Sequence, residues 1–123
     1  MIDLPEVVAE VRAAFEAYEK ALAAGDVALL TEAFWDDAAV VRFGIADEQR
    51  GAAELAAWRA RNPSVPPGRC LSRTVVTTFG TDAAVVSTVF TSPGTAGHGR
   101  QSQTWVRLPE GWRIVHAHVS QIG

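Results

Sequence analysis

The chain has 123 residues and a mass of 13.2 kDa, which is enough for one domain with a single core and too little for two. Hydrophobic residues make up 48% of the sequence and charged residues 20%, a balance typical of soluble globular proteins. The formal net charge of -3 argues against a nucleic acid partner, which would demand a basic surface.

The sequence shows neither a recognisable targeting segment nor a pair of cysteines. No stretch approaches the roughly 20 apolar residues that cross a bilayer, and residues 1–6 are acidic where a secretory leader would be basic. We therefore expect a cytoplasmic protein with no membrane attachment. Cys70 is the only cysteine, which excludes an intramolecular disulfide, and no sequence signature of a catalytic cysteine surrounds it.

The N-terminal half of the sequence predicts three helices and one strand. Apolar residues recur with a 3.6-residue period over residues 4–22, and Tyr18 lies on that apolar stripe. A glycine and an aspartate then predict a helix stop and a new N-cap, followed by a short helix over residues 27–34. Residues 38–44 predict a strand, and residues 52–61 predict a third helix.

The C-terminal half predicts an antiparallel meander. A proline-rich loop at residues 63–68 precedes strands at 69–79 and 83–91, and a loop at 92–99 leads into two closing strands. Short turns between successive strands favour antiparallel pairing. We predict one α+β domain over residues 1–123, in which three N-terminal helices pack on a curved, mainly antiparallel sheet.

Arg42 is the first candidate functional residue because it interrupts an apolar strand. Burying a charge without a partner costs several kcal/mol, and the strand itself offers no carboxylate. A guanidinium in this position is suited to a substrate carboxylate. Two alternatives stay open, which are exposure on an edge strand and an ion pair with one of three acidic residues. Those acidic residues are Glu16, Glu19 and Asp36.

Tyr18 is the second candidate residue. A phenol on an apolar helix stripe is most often a core aromatic whose hydroxyl reaches a backbone carbonyl. Next to an arginine it would instead donate a proton or a hydrogen bond to a substrate. On the third helix, Arg59 lies beside Trp58 and Arg61 follows two residues later, and either one of these arginines points to a pocket mouth or both lie on a solvated helix face.

The closing strands carry polar side chains at alternate positions. The period of 2 places Gln101, Gln103 and Trp105 on one face of their strand, and it places His116 and His118 together on one face of the last strand. Two imidazoles on one strand suggest a metal site, but a third ligand is missing from the sequence pattern. We therefore predict no metal, and interpret the histidines as part of a polar sheet face covered by another subunit or hydrogen-bonded within the fold. A single β-bulge would exchange the two faces of this strand.

Several segments together resemble the AtzH-like family of the nuclear-transport-factor-2-like (NTF2-like) superfamily, and the resemblance runs nearly end to end. The most specific segment is Gly-Arg-Gln-Ser-Gln-Thr-Trp at residues 99–105. The other segments are Leu-Pro at 4–5, Val-Val-Ala-Glu-Val at 7–11, Phe-Trp at 34–35, Val-Arg-Phe-Gly at 41–44, Trp-Arg-Ala-Arg at 58–61 and Thr-Thr-Phe-Gly at 77–80.

The resemblance implies a cone-shaped fold, a homodimer formed through the sheet and an enzyme without a cofactor. The family includes HpxZ proteins of oxalurate catabolism and an enzyme of cyanuric acid breakdown that converts 1,3-dicarboxyurea to allophanate beside an amidase-signature hydrolase. It implies catalytic roles for Tyr18 and Arg42. Substrate contacts would come from two glutamines and from residues of the helices, namely Gln101, Gln103, Trp35, Trp58 and Arg59.

Two functions compete at this point. One is a decarboxylating amidase acting on a small N-carboxylated urea or ureido acid. The other is a non-catalytic binding or accessory module that partners an amidase. An isomerase or cyclase of the same fold would need a buried acidic base on a strand facing the pocket, and the predicted strands offer none.

Overall fold

The computed structural model describes residues 1–123 and contains the three predicted helices. Helix α1 spans Pro5–Ala24, α2 spans Val27–Glu32 and α3 spans Ala52–Arg61. Proline opens α1 because its fixed φ angle suits the first helical turn. Gly25 ends the helix with a left-handed φ of 69°, and its backbone N–H reaches the carbonyls of the last turn. None of the helices has the length and apolar character needed to span a bilayer.

Six strands form one mixed sheet in the order β2-β1-β6-β5-β4-β3. Only β1 and β6 run parallel, and every other neighbouring pair is antiparallel. The predicted α+β class and the mainly antiparallel meander are therefore confirmed. The strands are β1 (Val41–Phe43), β2 (Glu48–Arg50), β3 (Cys70–Phe79), β4 (Ala83–Thr91), β5 (His98–Leu108) and β6 (Gly111–Ile122).

The core lies between the helices and one face of the sheet. Val11 and Phe15 of α1 pack with Val86, Trp105 and Ile114 of the sheet, and all five are at most 2% exposed. Interruptions in the pairing of β3 with β4 and of β5 with β6 bend the strands, which gives the sheet a concave face towards the helices.

Strand β2 is absent from the sequence prediction. Its three residues, Glu48, Gln49 and Arg50, show no apolar alternation, so the sequence carries no strand signal there. The strand forms because it pairs with β1, where Gln49 lies opposite Arg42. The loop predicted at 92–99 also ends earlier than expected, since His98 already belongs to β5.

A β-bulge in β6 reverses the predicted faces of the last strand. Trp105 pairs with Ile114 while Thr104 pairs with His116, which leaves Val115 without a partner. Beyond this extra residue the alternation is displaced by one position. Ala117 is consequently buried, whereas the side chains of both histidines, His116 and His118, face outwards instead of sharing a face with Ile114.

Candidate functional site

A cavity of about 260 Å³ opens between α1, α3 and the concave face of the sheet. It is the candidate site because most of the polar residues predicted from the sequence line its wall. The structure brings together Tyr18 of α1, Arg42 of β1, Trp58 and Arg59 of α3, and Gln101 and Gln103 of β5.

Three other residues considered in the sequence lie elsewhere. Trp35 lines a different groove, between α2, α3 and the turn joining β5 to β6, so the structure does not bring it to the cavity. His116 and His118 flank the ring of Phe43 on the outer face of the sheet, with ring centroids 5.7 and 5.6 Å away. Nowhere in the chain do three or more His, Cys, Asp or Glu side chains come together as a metal-binding group.

Tyr18 and Arg59 form the buried end of the cavity. The Arg59 Nη2 group donates a hydrogen bond of 3.3 Å to the Tyr18 hydroxyl oxygen. Burial raises the pKa of Tyr18 above its usual value of 10.0, and the nearby charge of Arg59 only partly opposes this effect. The phenol is therefore protonated at neutral pH, and its own proton is available to an acceptor in the cavity.

Arg59 is buried without an acidic partner. Only 5% of the residue is exposed, and its contacts are the Tyr18 hydroxyl and the backbone carbonyl of Asn62. Burial lowers the pKa of this guanidinium, with the neighbouring charges acting in both directions. The alternative of a solvated helix face is wrong. Leu55 lies four residues earlier on the same buried face of α3, and this spacing is the sequence signal for an inward-facing arginine.

Trp58 contacts two guanidinium groups. The Arg42 Cζ atom lies 4.2 Å from the centre of the Trp58 ring, and the Arg59 Cζ atom lies 4.8 Å from it. Both distances are within the range of cation-π attraction. The indole therefore stabilises two like charges on one wall of the cavity.

Arg42 is bound by a carboxylate that the sequence reasoning did not consider. Its Nη1 group donates to Asp47 Oδ1 at 2.7 Å and to Gln49 Oε1 at 3.0 Å. The proposed partners Glu16, Glu19 and Asp36 were wrong, because the loop after β1 folds back and supplies Asp47 instead. A side chain at position 44 would overlap the Asp47 carboxylate. The glycine that follows β1 is therefore the feature of the sequence that allows the loop to fold back onto Arg42.

Asp47 is ionised in this arrangement. Desolvation opposes its ionisation, but the hydrogen bond donated by Gln49 Nε2, 2.9 Å from Oδ1, and the charge of Arg42 outweigh it. The pKa of Asp47 is consequently lower than its usual value of 3.8. The carboxylate lines the cavity as an anion held by Arg42.

The amide of Gln103 has a fixed orientation. Trp105 Nε1 can only donate, and it donates to Gln103 Oε1 at 3.0 Å. The carbonyl oxygen of the amide therefore points into the core, and the Nε2 group is left to face the cavity. Gln103 presents hydrogen-bond donors to a ligand.

Gln101 belongs to a second ion-pair network at the cavity wall. Arg69 pairs with Glu19 and donates a 3.3 Å hydrogen bond to Gln101 Oε1, while Gln101 Nε2 donates to Glu19 Oε2 at 3.1 Å. Both ends of the Gln101 amide are thereby occupied within the protein. Arg69 and Glu19 were not predicted as site residues, and neither carries a distinctive motif.

Comparison with known proteins agrees with this architecture. The family model described as AtzH-like matches residues 1–123. A cystatin-like fold protein from Burkholderia xenovorans is 52% identical, with a TM-score of 0.97 over 100% of this chain and 97% of that one. A protein of unknown function from Pectobacterium atrosepticum is 50% identical, with a TM-score of 0.95 over 99% and 95% of the two chains.

More distant structures share the fold alone. An NTF2-like protein of unknown function from Pseudomonas putida is 20% identical, with a TM-score of 0.77 over 91% of this chain and 84% of that one. No curated protein sequence matches the chain.

Proposed function

Because the chain belongs to the AtzH-like family, we propose that it is a small cofactor-independent hydrolase that cleaves a C–N bond of an N-carboxylated urea or a ureido acid. The observation that carries this proposal is Arg59, a guanidinium that is 5% exposed, lines the cavity and lacks an acidic partner. A carboxylate bound beside it would offset the cost of the buried charge. The cavity volume of about 260 Å³ suits a small metabolite.

The groups around the cavity support proton donation to a leaving nitrogen. Tyr18 holds its proton at neutral pH, and Arg59 lies where it would stabilise the phenolate once that proton has left. In an N-carboxylated urea, the bond between nitrogen and the carboxyl carbon breaks and its electron pair stays on nitrogen. That nitrogen takes the Tyr18 proton, carbon dioxide leaves, and water returns a proton to the phenolate.

A ureido acid would react with a water molecule in the same setting. Water adds to the carbonyl carbon, the C–N bond breaks, and the nitrogen leaves with a proton supplied through Tyr18. Gln103 Nε2 would hold the carbonyl oxygen, and the remaining guanidinium donors of Arg42 would help to orient the carboxylate that binds beside Arg59. Positioning of this kind accounts for a large share of rate enhancement in reactions of labile substrates.

The first test measures turnover of freshly prepared 1,3-dicarboxyurea and of oxalurate, followed by product analysis against a buffer blank. We expect Tyr18→Phe to lower the rate about 100-fold through loss of the proton donor. Arg42→Ala should lower it through loss of substrate orientation. Tyr18→Phe keeps the aromatic ring in the core, so a loss of activity without a change in thermal stability would identify the hydroxyl as the active group. Decay of both compounds at the blank rate would reject the proposed hydrolysis.

A binding or accessory role is the alternative function, and one observation favours it. Asp47, the carboxylate that lines the cavity, is bound by Arg42, and Glu19 beside the cavity is bound by Arg69, so neither is free to act as a base. Ligand binding without turnover would support this alternative, as would co-purification with an amidase-signature hydrolase.

A further inference from the structure

The charges around the cavity form two pairs and leave one group alone. Three guanidinium groups and one carboxylate line its wall, on Arg42, Arg59, Arg69 and Asp47, and a second carboxylate, on Glu19, pairs with Arg69 beside the cavity. A ligand is attracted mainly by the charges that have no partner within the protein. Which groups are paired therefore matters more than the total number of charged groups.

Two of the three arginines, Arg42 and Arg69, are neutralised within the protein. Arg42 and Asp47 are 2.7 Å apart, with side chains 11% and 31% exposed. Arg69 and Glu19 form a second pair, with side chains 9% and 13% exposed. Pairs this poorly exposed are only weakly screened by solvent and salt, so a ligand does not readily displace the carboxylate from either arginine.

Arg59 is the remaining charge. It makes only neutral contacts, with the Tyr18 hydroxyl and the Asn62 carbonyl. The cavity therefore offers one uncompensated positive charge in a setting where an unpaired second negative charge would be costly.

We propose that the cavity selects a planar monoanion, in which one carboxylate is bonded to an uncharged amide or urea group, and that Asp47 sets this selection by neutralising Arg42. The inference rests on the proposed function, since it names the substrate class of the same site. It favours a ureido acid with one carboxylate over 1,3-dicarboxyurea, which carries two.

The neutral groups of the cavity fit the uncharged half of such a ligand. Gln103 turns its Nε2 donors towards the cavity because Trp105 occupies its carbonyl oxygen, and Tyr18 retains a proton to donate. Both would bind an amide or urea carbonyl oxygen. A second carboxylate in the same place would gain hydrogen bonds but no opposite charge, and it would share the cavity with the carboxylate of Asp47.

Oxamate and oxalate provide a matched pair of probes. They have nearly the same size and planar shape, but at neutral pH oxamate carries one negative charge and oxalate carries two. Titration calorimetry at low ionic strength should show that the wild-type protein binds oxamate more tightly than oxalate, by roughly tenfold or more.

Asp47→Asn tests the assigned residue. This substitution keeps the size and one hydrogen-bond acceptor but leaves Arg42 unpaired, so the cavity gains a second positive charge. The preference should shift towards oxalate by roughly tenfold. Asp36→Asn is the matched control, because Asp36 is exposed, lies outside the cavity and makes no ion pair. It should leave the ratio of the two affinities unchanged.

The outcomes separate this inference from the proposed function. Equal or tighter binding of oxalate by the wild-type protein, or no binding of either anion at millimolar concentration, would overturn monoanion selection. An unchanged ratio in Asp47→Asn would overturn the role of Asp47. If the protein binds oxamate selectively but turns over neither 1,3-dicarboxyurea nor oxalurate, the proposed hydrolysis is rejected. The inferred selection of a monoanion would still stand.

Discussion

Tyr18 is the only tyrosine in the chain, so its ionisation can be measured without interference from another phenol. Since burial raises its pKa, the tyrosinate absorbance of the native protein should appear only above the usual pH of about 10. The unfolded chain releases this proton first. The free energy of unfolding is therefore unaffected by Tyr18 below about pH 10 and falls as the pH rises towards the folded-state pKa.

A spectroscopic pH titration of the native protein checks this expectation, with Tyr18→Phe as the blank that should show no step. Arg59→Met offers a further comparison. Removing the charge that partly offsets burial should move the tyrosinate step to still higher pH. A step at or below pH 10 in the native protein would contradict the buried, protonated phenol.

At the scale of single elements, β3 and β4 each carry a buried threonine, and only one of the two hydroxyl groups has a hydrogen-bond partner. Thr78 is fully buried and its hydroxyl has no partner, whereas the Thr88 hydroxyl meets Thr74 Oγ1 at 2.8 Å and donates to the Ser72 carbonyl at 3.1 Å. Thr78→Val should raise the free energy of unfolding by roughly 1 kcal/mol, since it removes an unsatisfied polar group of similar size. Thr88→Val should lower it by about the same amount.

The free energies of unfolding of Thr78→Val and Thr88→Val can be measured by urea unfolding. Each variant is the control for the other, because both replace a buried hydroxyl group with a methyl group in neighbouring strands. Destabilisation of similar size in both would mean that the Thr78 hydroxyl has a stabilising partner.

The elements also show what the sequence can predict. The periods of α1 and α3 and the turns between β3, β4 and β5 are local signals, and the corresponding elements lie within about two residues of their predicted bounds. Strand β2 was missed, and the bulge at Val115 could be named only as an alternative, because each is defined by pairing with another strand. Asp47 was missed for a related reason, since only the return of the loop after β1 brings its carboxylate to Arg42.

For the whole molecule, we expect the outer face of the sheet to be covered by a second copy of the chain. Val75 and Val85 are 54% and 40% exposed there, and the row that contains Val85 continues through Thr104 to His116. Apolar side chains in the middle of a sheet face are more favourable when buried in an interface. Sedimentation should then give twice the chain mass of 13.2 kDa.

Val85→Glu should dissociate this dimer by placing a charge in the interface. Leu29→Glu is the control, because Leu29 is 52% exposed but lies on α2, away from the sheet face. A monomeric wild-type protein, or dissociation by both substitutions alike, would exclude the sheet as the contact surface.

The contact of Trp58 with two guanidinium groups has an optical consequence. Indole emission responds to the charge near the ring, and an anion arriving at Arg59 would change the field at Trp58 while Arg42 stays paired with Asp47. The difference in fluorescence between the protein and Trp58→Phe isolates this ring from the other three tryptophans. Occupancy of the cavity would thus be visible in real time without any label attached to the ligand.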